Sequence, residues 1–297
     1  KYIVNGRWFV TALTVNMDKI KGIPDFKHDG FNGFIGVCQT DISPPIGIYA
    51  RSWGAAAHDT SKGIHKPLLL TCVMFQTSSG SSPFILLSAD LGVWRSARDG
   101  EEIRSAILKE FSIPASQLMF CLTHTHAGPV LSRDDSAKPG GALIDGYLTG
   151  LHRRALEAIH SALGSAVPAV LSWNYGKCQL AANRDLEDPG EDRIITGFNP
   201  GGRADDTLLV GRITDANNKI IAVLVNYACH PTTLAWENEL TSPDYIGAMR
   251  EVIKDHTDAP CLFLQGASGE LAPRRQYVAD PKVADTNGRE LGFAVLA

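Results

Sequence analysis

The chain has 297 residues, 44% of them hydrophobic and 20% charged, enough to bury a large core as one domain or two closely packed ones. With 28 Lys and Arg against 32 Asp and Glu, the formal charge is −4 and no block of five like charges occurs. This excludes a disordered chain and makes nucleic acid a poor partner, because phosphate binding needs a basic stripe. The apolar stretches have strand length and fall short of the roughly 20 residues that cross a bilayer. The chain begins at Lys1, and WFVTALTV lacks the charged flank and cleavage site of a signal peptide, so any export signal is expected to have been removed or never to have existed.

In chain order, runs rich in Val, Ile, Leu and Phe at residues 67–75, 84–89, 117–123, 166–172, 207–213, 219–228 and 261–265 read as strands, several buried on both faces. Helical periodicity lies between and after them, in ARDGEEIRSAILKEF, ALIDGYLTGLHRRALEAIHSAL, PDYIGAMREVIKDH and the closing GRELGFAVLA. Strands alternating with helices give an α/β class: a mixed β-sheet with helices packed on it. The polar DANNK at 215–219 joins two strands as a hairpin, which makes part of the sheet antiparallel. Residues 185–206 form a long Gly/Pro/Asp-rich loop without periodicity, and such loops are more often functional than idle. The helical pattern reaches Ala297 without a cap, so the chain is expected to continue beyond it.

Six cysteines occur without any CxxC spacing and read as buried thiols rather than as a disulfide framework or a thiolate metal site. Histidine is more informative. In CLTHTHAGPV, His124 and His126 project to the same side of an extended chain at the end of a strand. In VLVNYACHPTTLAW, a second strand ends in His230, stopped by Pro231, at the carboxyl end where α/β sheets place their ligands. Neutral imidazole is a preferred zinc ligand, so a zinc site at the strand carboxyl ends is expected, with His124 and His230 as the better ligands.

Asp90 ends FILLSAD at the same sheet edge and could ligate or orient a ligand histidine, while Asp244 in TSPDYIG could cap a helix or support the site. Arg184 opens the long loop with a guanidinium suited to a carbonyl oxygen or oxyanion. His65 precedes a strand and has a structural reading. His152, His160 and His256 read as surface, and His28 and His58 are uninformative. Ser268, in the Gly-rich turn LFLQGASGELAPR, forms no G-x-S-x-G elbow, so a serine triad there has weak support.

Eight segments in order, FIGVCQTDISPP, GIHKPL, SADLG, LTHTHAGP, AANRD, NYACHPTTL, SPDYIG and QGASGELAP, resemble the neutral, non-lysosomal ceramidases over residues 34–274. The resemblance divides the chain into a lead segment at 1–33 and a ceramidase-like zinc hydrolase domain at 34–297. It implies a zinc amidase that cleaves an N-acyl bond, with His124 and His230 on zinc, His126 lining the scissile amide, Arg184 polarising its carbonyl, and a Glu and a Tyr supplied from beyond Ala297. The family serine of the Gly-rich turn is replaced by Ala272, which excludes a serine nucleophile there and leaves metal-activated water as the attacking group. A small-molecule acyl-amide or lipid substrate, peripheral membrane contact and a secreted or periplasmic location are further implications of the resemblance. Two other readings use the same residues: a two-metal amidohydrolase or phosphoesterase, and a non-catalytic lipid- or glycan-binding relative.

Overall fold

The computed structural model describes residues 2–4, 7–9 and 29–297. Most of the expected lead segment, with His28, therefore lies outside the described residues. An eight-stranded mixed sheet carries the fold: β1 (Phe31–Asp41), β2 (Leu69–Gln76), β3 (Phe84–Ala89), β4 (Leu118–Leu122), β5 (Val167–Lys177), β6 (Thr207–Asp215), β7 (Ile220–Tyr227) and β8 (Cys261–Gln265). Its spatial order is β8-β7-β6-β5-β1-β2-β3-β4, with the inner pairs antiparallel and the two edge pairs, β7 with β8 and β3 with β4, parallel.

Each parallel edge pair is joined through a helix, as parallel strands require. Helix α1 (Ala97–Glu110) lies between β3 and β4, and α3 (Tyr245–Thr257) between β7 and β8. Ser96 caps α1 by accepting from the Asp99 N–H at 3.3 Å. Helix α2 (Ile144–Gly164) buries Tyr147, Leu148, Leu151, Ala155, Ala158 and Ile159, the three- and four-residue spacing of one helical face. Helix α4 (Pro281–Leu296) starts at Pro281 behind the capping side chain of Asp280. The DANNK turn closes the β6–β7 hairpin, with Asn218 in the left-handed conformation at φ 61°.

The sheet folds over on itself. Residues from its two halves, including Ile35, Val73, Leu86, Leu171, Ile213, Leu224 and Leu262, form one inner core. A second core lies under α1 and α2, and a third under α3 and α4, so the layers run helix, sheet, sheet, helix. The Ser88 hydroxyl donates to the carbonyl of Phe263, joining β3 to β8 although five strands lie between them in the strand order.

Two features go beyond the sequence expectation. The central strand β1 was not anticipated, and the long loop contains a short antiparallel hairpin, Asp185–Asp188 with Arg193–Thr196. All six cysteines are free, with Cys72, Cys178, Cys229 and Cys261 buried, and burial raises the Cys72 thiol well above its ordinary value. No helix among the described residues is long and apolar enough to cross a membrane.

Candidate metal centre

Folding the sheet over brings its two edges together at their carboxyl ends. His124 follows β4 and His230 follows β7, yet their ring centroids are 4.7 Å apart. His126 completes the group, 5.0 Å from His124 and 5.2 Å from His230. One nitrogen from each ring lies within 4.8 Å of the others, close enough for one ion, and this is the one such His, Cys, Asp and Glu group found among the described residues.

The three rings are held differently. The Nδ1–H of His124 donates to the carbonyl of Gly92 at 3.0 Å, leaving Nε2 free. Gly92 permits this approach because a Cβ there would stand 2.9 Å from the carbonyl oxygen of Thr125. The His124 backbone is left-handed at φ 71°, uncommon for a residue other than glycine and a form of strain that clusters at functional sites. His230 Nδ1 lies 2.9 Å from the carbonyl of Ser268, which can only accept, and 3.0 Å from Arg184 Nη2, which can only donate; in the tautomer that donates to Ser268, Nε2 is again free. His126 has no such anchor: both of its ring nitrogens are buried without a hydrogen-bond partner.

The electrostatics keep His126 and His230 neutral. Burial, reinforced by the neighbouring His230, His124, Arg184 and Arg95, lowers His126 to about 3. Burial lowers His230 to about 4, against the opposing effect of the Ser268 carbonyl and with help from Arg184. Neutral, closely grouped imidazoles fit a divalent metal, and an all-nitrogen donor set suits zinc.

Of the other expected site residues, Arg184 is at the group. Its Nη2 lies 3.0 Å from His230 Nδ1 and donates to the carbonyl of Gly269 at 2.8 Å, while Nε donates to the same carbonyl at 2.9 Å. Asp90 reaches the same sheet edge but makes no hydrogen bond to the imidazoles. It is fully buried, accepts from the Leu69 N–H at 2.9 Å and pairs with Arg250 of α3. The pair ties the end of β3 to α3, the helix that leads from β7 to β8.

Asp244 caps α3, accepting from the Tyr245 N–H at 2.7 Å, and its other oxygen accepts from the Leu234 N–H at 2.8 Å. It thereby fixes the segment that follows His230, and burial raises its carboxyl to about 6. His65 turns to Ser242 Oγ, 2.9 Å away, and Asp285, 3.3 Å away, rather than to the metal group. Ser268 supplies the carbonyl that anchors His230, while its hydroxyl accepts from Gln265 at 2.7 Å. Ala272 is buried in the short strand Leu271–Pro273.

A cavity of about 720 Å³ opens onto His126, His230 and Arg184. This volume falls in the range of small-molecule sites. Thr196, Gly197 and Phe198 of the long loop line it, as do Trp53, Trp236 and Tyr277. Sequence reasoning passed over these aromatic residues because they lie far apart in the chain; the left-handed backbone of Tyr277, at φ 59°, becomes visible only in the fold.

No family model matches the chain. Among solved structures it is similar to a ceramidase complexed with C2, with a TM-score of 0.71 and 17% identity over 89% of this chain and 43% of that one. It is also similar to the neutral ceramidase from Pseudomonas aeruginosa, with a TM-score of 0.66 and 18% identity over 89% of this chain and 44% of that one. The chain thus spans less than half the length of either protein. It has the fold seen in that part of these two ceramidases, with a three-histidine group where its two sheet edges meet.

Proposed function

We propose that the protein is a zinc-dependent hydrolase that cleaves an N-acyl amide bond with water. The observation that carries this reading is the different anchoring of the three rings. Metal-ligating histidines almost always donate their other ring nitrogen to a carbonyl or carboxylate. His124 and His230 do so, through Gly92 and Ser268, and His126 does not.

His124 and His230 are accordingly assigned to the metal through Nε2. The unpaired nitrogens of His126 are assigned to the scissile amide, where they can hold or hand on the proton of the leaving amine. Arg184 is assigned to stabilise negative charge on the acyl oxygen, a role supported by its position between His230 and the Gly269 carbonyl. Asp244 and the Asp90–Arg250 pair hold the elements that carry the histidines. When bound, zinc supplies Lewis-acid polarisation and activation of water near neutral pH. In the overall reaction the water oxygen joins the acyl carbon, the C–N bond breaks and the amine leaves with a proton.

The fold shared with two ceramidases supports this class of reaction, and the single group among the described residues that could hold a metal favours it over a two-metal enzyme. Metal analysis together with an N-acyl substrate panel tests it. One zinc per chain, with amide hydrolysis lost in His124→Ala, is the expected result; metal content and hydrolysis unaffected by that substitution would refute the assignment.

A further inference from the structure

The cavity has a lining that a bare hydrolytic centre does not need. One wall is aromatic: the ring centroids of Trp53, Trp236 and Tyr277 are each 5.9 Å from the other two. Two polar atoms of this wall, Trp53 Nε1 and Tyr277 OH, are buried without a hydrogen-bond partner, a cost that native structures rarely carry without a purpose. Tyr277 adds backbone strain, since φ 59° is an outlier for a bulky side chain. It is held there by its N–H donating to Thr232 at 3.3 Å and by the Val278 N–H donating to Thr233 at 2.9 Å, both on the segment that follows His230.

The charged lining is of one sign. Arg184, Arg274 and Arg275 line the cavity, and no Asp or Glu does. Arg274 is paired with Glu290 at 2.7 Å, whereas Arg275 is exposed and its guanidinium has no hydrogen bond or ion pair among the described residues. A planar guanidinium with free donors is suited to a carboxylate. A neutral lipid amide would offer it no charged partner.

We propose that this cavity selects an N-acylated amino acid with an apolar or aromatic side chain, its carboxylate meeting Arg275 and its apolar part lying on the wall of Trp53, Trp236 and Tyr277. The proposal rests on the hydrolase reading for the bond that is cut, but not for binding. Hydrolysis would place the water oxygen on the acyl carbon and release the free amino acid with its nitrogen protonated.

Calorimetric titration of metal-free protein with N-acetyl-L-phenylalanine, and with its neutral carboxamide, tests the binding part. The acid is expected to bind at least about tenfold more tightly, roughly the contribution of one charge-assisted hydrogen bond. Arg275→Gln, at an exposed position, should bring the acid down to the affinity of the carboxamide, and Trp236→Leu should weaken both alike. Equal affinities, no binding of either probe, or a preference that survives Arg275→Gln would overturn the proposal. Turnover by the zinc-loaded protein is read separately. Tight binding of the acid without hydrolysis would count against the hydrolase reading and leave the carboxylate site standing, whereas turnover with no preference for the acid over the carboxamide would overturn the site.

Discussion

The two sheet edges reach the same result by different means. At the β4 edge, His124 is presented by a strained left-handed backbone, and its ring is fixed by Gly92, a residue small enough to let two chain segments touch. At the β7 edge, His230 has ordinary backbone geometry. Its ring is fixed by the carbonyl of Ser268, with Arg184 packed against the same nitrogen. What the two share is a backbone carbonyl beside Nδ1, which leaves Nε2 to face the centre, and this shared device sets both apart from His126.

The largest expected effect breaks the comparison outright. His124→Ala and His230→Ala should each abolish zinc retention after dialysis. His126→Ala should retain zinc while losing about 10²-fold or more in turnover, the ordinary size of a proton-transfer contribution. If all three substitutions release zinc equally, the distinction between anchored and unanchored rings is lost.

Next in size is the clamp between β3 and α3. Arg250→Met leaves Asp90 buried and unpaired, and should lower stability in denaturant unfolding by about 3–5 kcal/mol. Replacing both partners with apolar residues should cost much less than that single change.

A smaller effect concerns pH. The Asp244 carboxyl titrates at about 6 in the fold and near 4 when unfolded, so between those values the folded state binds more protons and this group's contribution falls as pH rises. His126 and His230, lowered by burial, act in the opposite sense, their contribution rising with pH toward the unfolded value of about 6.5. Asp244→Asn removes the opposing carboxyl, so the variant's stability should climb more steeply than wild type between pH 4 and 6. Parallel curves would show that Asp244 does not titrate there.

The smallest effect separates strain at the site from strain in a turn. Asn218→Gly, in the β6–β7 hairpin, should change stability by less than about 1 kcal/mol and leave zinc binding unaltered. His124→Gly should relieve similar strain and release the metal.

Much of this was legible in the chain itself. Seven of the eight sheet strands and all four helices announce themselves by apolar runs and helical periodicity, and the HxH and YACHP strand ends point to the centre. β1 was missed because glycines and polar residues interrupt its apolar pattern in FNGFIGVCQTD, and only its place between β5 and β2 makes it a strand. Asp90 was located at the correct edge, but its partner is fixed by the folding-over of the sheet, which sets Arg250 from 160 positions away against it. Trp53, Trp236 and Tyr277 lie in irregular segments with no periodicity, so the wall they form is a property of tertiary structure alone.

The most direct measurement is X-ray absorption at the zinc edge on metal-loaded protein, wild type beside His126→Ala. Zinc bound by two imidazole nitrogens at about 2.0–2.1 Å, with the same count in the variant, is the predicted result. A coordination shell that loses a nitrogen in His126→Ala, or a protein that takes up no zinc, would contradict the account.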